Sequence, residues 1–369
     1  MKIVLLGCGY VGRLFAEIVS RTRLAEVIVF DGSREKVERC LSISAVVGGE
    51  VRDLSSVESV RECVSRGDMV VEALPSRLTP IVWKACAEVG KDVVSVGYAR
   101  EDPLAMSRDF EASKALLLPD AGFAPGLSNV LAGAIVRALG RVEELQILVG
   151  GIPERPVGPI GYVVTWSAED LLEEYTRPAR VLEGGRVVEV DPLERVMEVE
   201  IEGVGKLEAF ISDGLRTMLT TLRDRVDRAF EATLRWPGHI EAMRLLRSLG
   251  LMSDEPVEVD GVRVSPRMVL ARVLEARLRY SVPDLAVLLV RGRTAGSEIV
   301  YRLVHRGTVE RSALTYITAA ALYAFTALAT NKLSGVTGVI PPEEIGLDER
   351  LFSSFMRELG GLGIRVVGQ

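Results

Sequence analysis

Strands and helices alternate along the first third of the chain, a glycine fingerprint sits at its first strand–helix turn, and the middle changes to longer strands. These three observations predict an α/β protein. It combines a Rossmann-type doubly wound parallel sheet with an α+β catalytic domain built on a mixed or antiparallel sheet. A length of 369 residues suits two domains. An apolar fraction of 48% is ample for two cores. The expected division is a dinucleotide-binding domain over residues 1–125, a catalytic and oligomerisation domain over 126–335, and a tail over 336–369 that returns to the first domain.

Each element has a local reason. Apolar runs at 2–6, 26–30, 68–74, 92–96 and 115–118 read as buried strands of a parallel sheet. Helical periodicity lies between them, at 11–21 and 79–89. In the middle, runs at 142–149, 187–190, 208–211 and 229–235 suggest a second sheet. Two longer strands, 284–291 and 298–305, flank the turn Ala295-Gly296-Ser297 and read as a hairpin. Helices over 237–249 and 266–279 would cover that sheet. The tail reads as Pro341-Pro342, a helix over 349–359 and a strand over 364–367.

Composition excludes several classes. A net charge of −6 argues against a nucleic-acid partner. Met1 leads directly into a strand, so no secretory signal is expected. The uncharged run 312–331 has the length of a membrane span, but its Ala and Thr content, with Tyr316, Tyr323 and Asn331, favours a buried helix. Cys8, Cys40, Cys63 and Cys86 form no Cys-x-x-Cys pair and only two histidines exist, so no metal site is expected. The thiols read as reduced and buried in a cytoplasmic protein. Amides are confined to Asn129, Gln146, Asn331 and Gln369, a scarcity that suggests a thermophile.

Gly7-Cys8-Gly9-Tyr10-Val11-Gly12 fits Gly-x-Gly-x-x-Gly between a strand and a helix, with Asp31 ending the next strand. Gly7 permits the tight turn, Gly9 admits a pyrophosphate, and Gly12 lets the helix approach the sheet. The helix N-terminus, starting at Tyr10 and Val11, offers unpaired N–H groups to phosphate. Asp31 accepts from a ribose 2′-hydroxyl and repels a 2′-phosphate, which favours NAD. Ser33 and Arg34 can bind a 2′-phosphate and keep NADP open. Leu74-Pro75 and Gly97-Tyr98, after later strands, line the path toward the nicotinamide.

The segment Pro119-Asp120-Ala121-Gly122-Phe123-Ala124-Pro125-Gly126 follows the strand at 115–118. Asp120 therefore sits at the carboxyl end of the sheet, where open α/β sheets bind ligands. This stretch resembles the Gly-x-x-Pro-Gly segment of the saccharopine dehydrogenase-like oxidoreductases. The likeness continues through Val149-Gly150-Gly151-Ile152-Pro153, Trp166-Ser167-Ala168-Glu169-Asp170-Leu171, Glu174-Tyr175-Thr176-Arg177-Pro178-Ala179-Arg180, Leu207-Glu208-Ala209-Phe210, Trp236-Pro237-Gly238-His239 and Ile340-Pro341-Pro342-Glu343. Together these look most like the lysine 6-dehydrogenase branch. One departure is Ile211-Ser212-Asp213-Gly214-Leu215-Arg216-Thr217, which puts Asp213 and Arg216 where that branch has small neutral residues.

The resemblance implies a homo-oligomeric, NAD-dependent enzyme acting on a small amino acid. The expected reaction oxidises the lysine side-chain amine to a semialdehyde that cyclises. A saccharopine- or carboxynorspermidine-type coupling of an amine with a carbonyl is the enzymatic alternative. A nucleotide-binding regulator is the non-enzymatic one. Amine oxidation needs the neutral amine, yet a lysine ammonium has a pKa of about 10.4. A base or desolvation must release the proton. Asp120 and His239 are the candidates. Arg216, then Arg177, is expected to hold the α-carboxylate as a bidentate fork, with Tyr98 and Asp213 nearby in the pocket.

Overall fold

The computed structural model of the chain describes residues 1–164 and 168–369. Trp166 and Ser167, quoted above, lie outside the described residues. The chain forms two compact units. The first holds Met1–Gly140, Arg216–Thr221 and Thr315–Arg365, and the second Arg141–Leu215, Leu222–Leu314 and Val366–Gln369.

The first unit is an all-parallel sheet. Its strands are β1 (Lys2–Leu6), β2 (Glu26–Asp31), β3 (Val46–Val51), β4 (Met69–Glu72), β5 (Val93–Ser95) and β6 (Leu116–Leu118). They lie in the order β6-β5-β4-β1-β2-β3, and Gly338–Val339 adds a parallel strand beside β6. The order reverses at β1, so β1 and β4 flank the crevice where doubly wound sheets take dinucleotides. β3 escaped the sequence reading because Gly48 and Gly49 interrupt its apolar run.

Two helices placed by sequence in the second domain belong largely to the first unit instead. Leu127–Leu139 and nearly all of Ala313–Asn331 are apolar around most of their circumference and sit in its core. Gly133 and Gly346 let Leu127–Leu139 cross Pro342–Leu347 at backbone contact. A Cβ at Gly133 would fall 2.1 Å from the Glu343 carbonyl oxygen. Ala313–Asn331 is long and apolar enough to cross a membrane by length and composition alone, but its span is 78% buried inside the protein.

The second unit carries a mixed sheet and a separate two-stranded hairpin. Its strands are β7 (Val142–Pro153), β8 (Ala179–Glu183), β9 (Arg186–Val190), β10 (Val196–Ile201), β11 (Gly205–Ser212), β12 (Val226–Arg235), the small hairpin β13 (Val257–Val259) and β14 (Val262–Val264), β15 (Asp284–Arg293) and β16 (Glu298–Arg306). The main order is β10-β11-β12-β7-β15-β16, followed by Val367–Gly368. Only the β12–β7 pair is parallel. The terminal strand therefore pairs with β16, in the second unit, and the expected return of the whole tail to the first is corrected at its last residues. Helices Ala168–Thr176, His239–Ser248 and Pro266–Arg277 cover one face through Leu171, Ile240, Met243 and Leu274, packed with Phe210 of β11. The opposite face packs Leu148, Ala209, Ala232, Leu234 and Val287.

The cysteine expectation is corrected in part. Cys8 and Cys40, both buried, are joined by a disulfide with a Cα–Cα separation of 6.6 Å. Cys63 and Cys86 are free and buried, and burial pushes the Cys63 thiol up to about 11.

Candidate functional site

The dinucleotide cradle forms at the end of β1. Gly7 adopts φ +95°, and a Cβ there would meet the Ala73 carbonyl at 2.4 Å. A Cβ at Gly12 would lie 2.0 Å from the Gly7 carbonyl oxygen. Gly9 faces open space, with nothing within 4 Å of its Cβ position, and no side chain caps the helix Tyr10–Thr22 that it opens. An open glycine face at an uncapped helix N-terminus fits a pyrophosphate. Tyr10 is exposed and Val11 half-buried beside it. Asp31 is buried, and its two oxygens accept from Cys8 N and Ser33 N, both at 2.8 Å. The carboxylate thus ties the glycine loop to the β2 turn. Arg34 projects from the first turn of the next helix, exposed.

The later loops are organised by a residue the sequence reading passed over. Glu72 ends β4, fully buried. It accepts from Leu74 N at 2.6 Å, Ser95 Oγ at 2.6 Å and Gly97 N at 3.2 Å, with Thr79 Oγ1 at 3.5 Å. One carboxyl therefore sets both the Leu74-Pro75 and the Gly97-Tyr98 turns. Burial pushes its pKa up against these hydrogen bonds. A lone acid ending the run Met69-Val70-Val71 was the available signal.

Beyond β6, Asp120 and Arg216 meet. Arg216 Nε and Nη2 donate to the Asp120 carboxylate at 3.0 and 3.1 Å, a bidentate pair. Both side chains are almost completely buried, at 3% and 0% exposure. Both residues adopt left-handed backbone, φ +54° and +52°, a conformation that costs a non-glycine residue free energy and clusters at functional positions. The guanidinium lies 4.2 Å above the Tyr98 ring centroid. Burial raises the Asp120 pKa, and the Arg216 charge and hydrogen bonds oppose it. The loop below needs Gly126 at φ +130°, where a Cβ would strike the Gly122 carbonyl oxygen at 2.1 Å. The Ala124–Pro125 peptide in it is cis.

A second carboxyl, Glu343, accepts from Thr221 Oγ1 at 2.6 Å and Thr217 Oγ1 at 3.0 Å. It is fully buried, and burial pushes it up to about 7 against those hydroxyls, with the Asp120 charge adding to the rise. The Pro-Pro-Glu motif contained it, but nothing in one sequence joins residues 217 and 343.

The remaining expected site residues lie in the second unit. Asp213 pairs with arginines of its own unit. Its carboxylate takes Arg180 Nε at 2.9 Å and Nη2 at 3.0 Å, with Arg177 Nε at 3.6 Å. Burial raises Asp213, but Arg180 and then Arg177 outweigh it and hold the pKa below the usual carboxylate range. Arg177 also lies 3.7 Å from Glu173. His239 is buried with both nitrogens engaged: Nδ1 with the Ile160 carbonyl at 2.9 Å and Nε2 with the Tyr175 hydroxyl at 2.7 Å. The carbonyl can only accept, so Nδ1 carries the proton and Nε2 accepts from Tyr175. Arg235 completes the network through Tyr175 and Glu174. Burial, then the Arg235 charge, pushes His239 down to about 3. The ring is thus held neutral with both nitrogens engaged by groups of its own unit, so service as the expected base would require breaking the Tyr175 hydrogen bond. Among the described residues no cluster of three or more metal-ligating side chains occurs.

Comparison with known proteins places this geometry. Residues 3–118 match the saccharopine dehydrogenase NADP binding domain, and residues 122–364 match the saccharopine dehydrogenase C-terminal domain. The chain is 25% identical over 279 residues to the mitochondrial alpha-aminoadipic semialdehyde synthase of Mus musculus, covering 69% of this chain and 29% of that protein. It is 23% identical over 292 residues to the NADP(+), L-glutamate-forming saccharopine dehydrogenase of Schizosaccharomyces pombe, covering 74% of this chain and 64% of that one. The chain thus spans less than two thirds of these relatives' length. The fold matches apo saccharopine dehydrogenase (L-Glu forming) from Saccharomyces cerevisiae with a TM-score of 0.82 at 16% identity, over 100% of this chain and 99% of that one. With a nicotinamide-dinucleotide cradle in one unit, a mixed-sheet second unit and matches along nearly its whole length, the chain belongs to the saccharopine dehydrogenase family.

Proposed function

We propose that the protein is a nicotinamide-dependent dehydrogenase of amino-acid amines, with the L-lysine side chain as its first candidate substrate. The observation that carries this reading is the buried Asp120–Arg216 pair, held by two left-handed residues after β6 and roofed by Tyr98. When bound, the nicotinamide supplies the acceptor for hydride from the amine-bearing carbon. The chain's residues do the rest. A substrate carboxylate matches the guanidinium fork that Asp120 occupies in the free protein. When that carboxylate takes the fork, Asp120 loses the charge that holds its pKa down, while its burial persists. It then becomes a proton acceptor at the moment the amine must become neutral. Tyr98 excludes water above the guanidinium and strengthens the ion pair beneath it.

Asp31 supports NAD over NADP as the cofactor, although Ser33 and Arg34 keep the phosphorylated form open. The second reading is a saccharopine-type coupling of an amine with a carbonyl. It is favoured by the saccharopine dehydrogenase activity of relatives and by the departure at Asp213 and Arg216 from the lysine dehydrogenase pattern. The deciding experiment measures reduction of NAD and NADP with L-lysine, saccharopine and a panel of other amino acids at alkaline pH. Turnover of L-lysine with release of ammonia supports the first reading. Turnover of saccharopine alone selects the second, and no turnover with any amine defeats both.

A further inference from the structure

One buried acid in the second unit has no use in the scheme above. Alternation along β12 turns Glu231, Thr233 and Arg235 to the same face, opposite Ser212 and Phe210 of β11 in register. Ala232 and Leu234 turn the other way, into the opposite core. The polar stripe lies on the helix-covered side, where Phe210 packs. Three polar side chains on such a face are costly unless satisfied. Arg235 is satisfied by Glu174 Oε2 at 2.8 Å, the Leu234 carbonyl at 3.0 Å and the Tyr175 hydroxyl at 3.2 Å. Asp213 is satisfied by Arg180. Glu231 is not. Its Oε1 has the Ser212 hydroxyl at a long 3.4 Å, and its Oε2 has no hydrogen-bond partner among the described residues. The residue is only 5% exposed.

The surroundings define what could complete it. The carboxyl rests on Gly214, where a Cβ would lie 1.7 Å from Oε1, so the space exists only because position 214 is glycine. Thr233 Oγ1 and Ser212 Oγ are 2.9 Å apart and continue the row of oxygens. The charged groups around the stripe are Glu174 with its partner Arg235, and Asp213 with Arg180 and Arg177. Glu174 and Asp213 already hold guanidinium partners, whereas the extra acid is Glu231. A cation is the complement. Divalent metals want more oxygen ligands than one carboxyl and two hydroxyls provide, and a guanidinium needs a planar, bidentate seat. An ammonium is compact and has three donors for an unshared carboxylate oxygen and neighbouring hydroxyls.

We infer that Glu231 is the binding site for a primary ammonium group on the helix-covered face of the second sheet. The identity of its carrier as an amino acid rests on the proposed function; the ammonium chemistry does not. In the free protein, burial, then the Glu174 and Asp213 charges, push Glu231 up to about 8, so near neutral pH its carboxyl carries a proton. Binding a cation stabilises the carboxylate, and that proton leaves to buffer while the ammonium keeps its own three.

The test is calorimetric titration of the full chain at pH 7 with 1,5-diaminopentane, which has ammonium groups and no carboxylate, in two buffers of different ionisation enthalpy. The expected result is saturable binding with release of about one proton per site, fading above the Glu231 pKa. Glu231→Gln should weaken binding at least roughly tenfold and abolish the release. Absence of saturable binding, binding without proton release, or equal behaviour of a folded Glu231→Gln overturns the inference. Should that variant fail to fold, the pH dependence of release by the unsubstituted protein decides alone. Because the readout is binding, failure of every amino-acid turnover assay would defeat the proposed function and leave this result standing.

Discussion

Asp120 and Arg216 form a buried bidentate ion pair in the first unit. Each is held in left-handed backbone and each buries a charge that the other offsets. Removing one member of such a pair is far more damaging than its net contribution suggests, because the partner is left buried and unmatched. Arg216→Ala should therefore lower unfolding stability by about 3–5 kcal/mol. It should also lower kcat/KM for the amino acid by roughly 10- to 150-fold, the equivalent of one charge-assisted contact. Nicotinamide affinity should be nearly unchanged, because the cradle is built by Gly7, Gly9, Gly12 and Asp31. Dinucleotide binding measured beside turnover and chemical denaturation checks all three. Retained activity in a stable variant would remove Arg216 from the substrate site. Asp31 carries its own prediction. Its carboxylate should make kcat/KM higher for NAD than for NADP, and Asp31→Ser should narrow the gap, since it removes the repulsion of a 2′-phosphate. Equal use of both cofactors by the unsubstituted protein would show that Ser33 and Arg34 dominate.

At the scale of elements, single carboxyls join segments distant in sequence. Glu72 ties two strand-end turns, and Glu343 ties Pro342–Leu347 to the segment 217–221 through Thr217 and Thr221. Glu343 is raised from 4.5 to about 7. Below 4.5 it is protonated in both the folded and unfolded chain. Between 4.5 and 7 the unfolded chain releases its proton and the folded one retains it, so stability falls as pH rises across that window. The span corresponds to a loss on the order of 3 kcal/mol. Glu231 acts with the same sign up to about 8. His239, lowered to about 3 by burial and Arg235, acts oppositely: stability is lost as pH falls below about 6.5. Glu343→Gln should flatten its own share of the decline between pH 4.5 and 7. Denaturation of the variant and the parent at a series of pH values tests this, and an unchanged slope would mean that Glu343 is ionised throughout.

At the scale of the whole molecule, the expectation of a homo-oligomer can be given candidate surfaces. The long strands β15 and β16 pair with each other and β15 also with β7, while β16 pairs with Val367–Gly368 through Tyr301 and Arg302. Large apolar side chains are also exposed along 245–273 of the second unit: Leu245, Leu249, Val262, Met268, Val269 and Val273. Such a concentration favours association. We expect a dimer in solution, measured by sedimentation at micromolar concentration, and its dissociation when Met268 and Val273 are replaced by glutamate. A monomeric parent protein would refute the expectation.

Local periodicity and turn chemistry determined much of this protein without tertiary information. Strand β1, the helix Thr79–Val89, the glycine cradle and the hairpin of β15 and β16 could all be read directly, because each depends on neighbours within a few residues. The loop carrying Asp120 was legible for the same reason: an apolar strand, two glycines and a proline specify it. Tertiary structure alone decided the rest. It chose Asp120 as the partner of Arg216 and Arg180 as the partner of Asp213, although Asp213 and Arg216 are neighbours in sequence. It enclosed both nitrogens of His239, assigned Leu127–Leu139 to the first unit, and left one Glu231 oxygen without a donor among the described residues. Burial and partner choice depend on contacts between residues far apart in the chain, and one sequence carries no record of those distances.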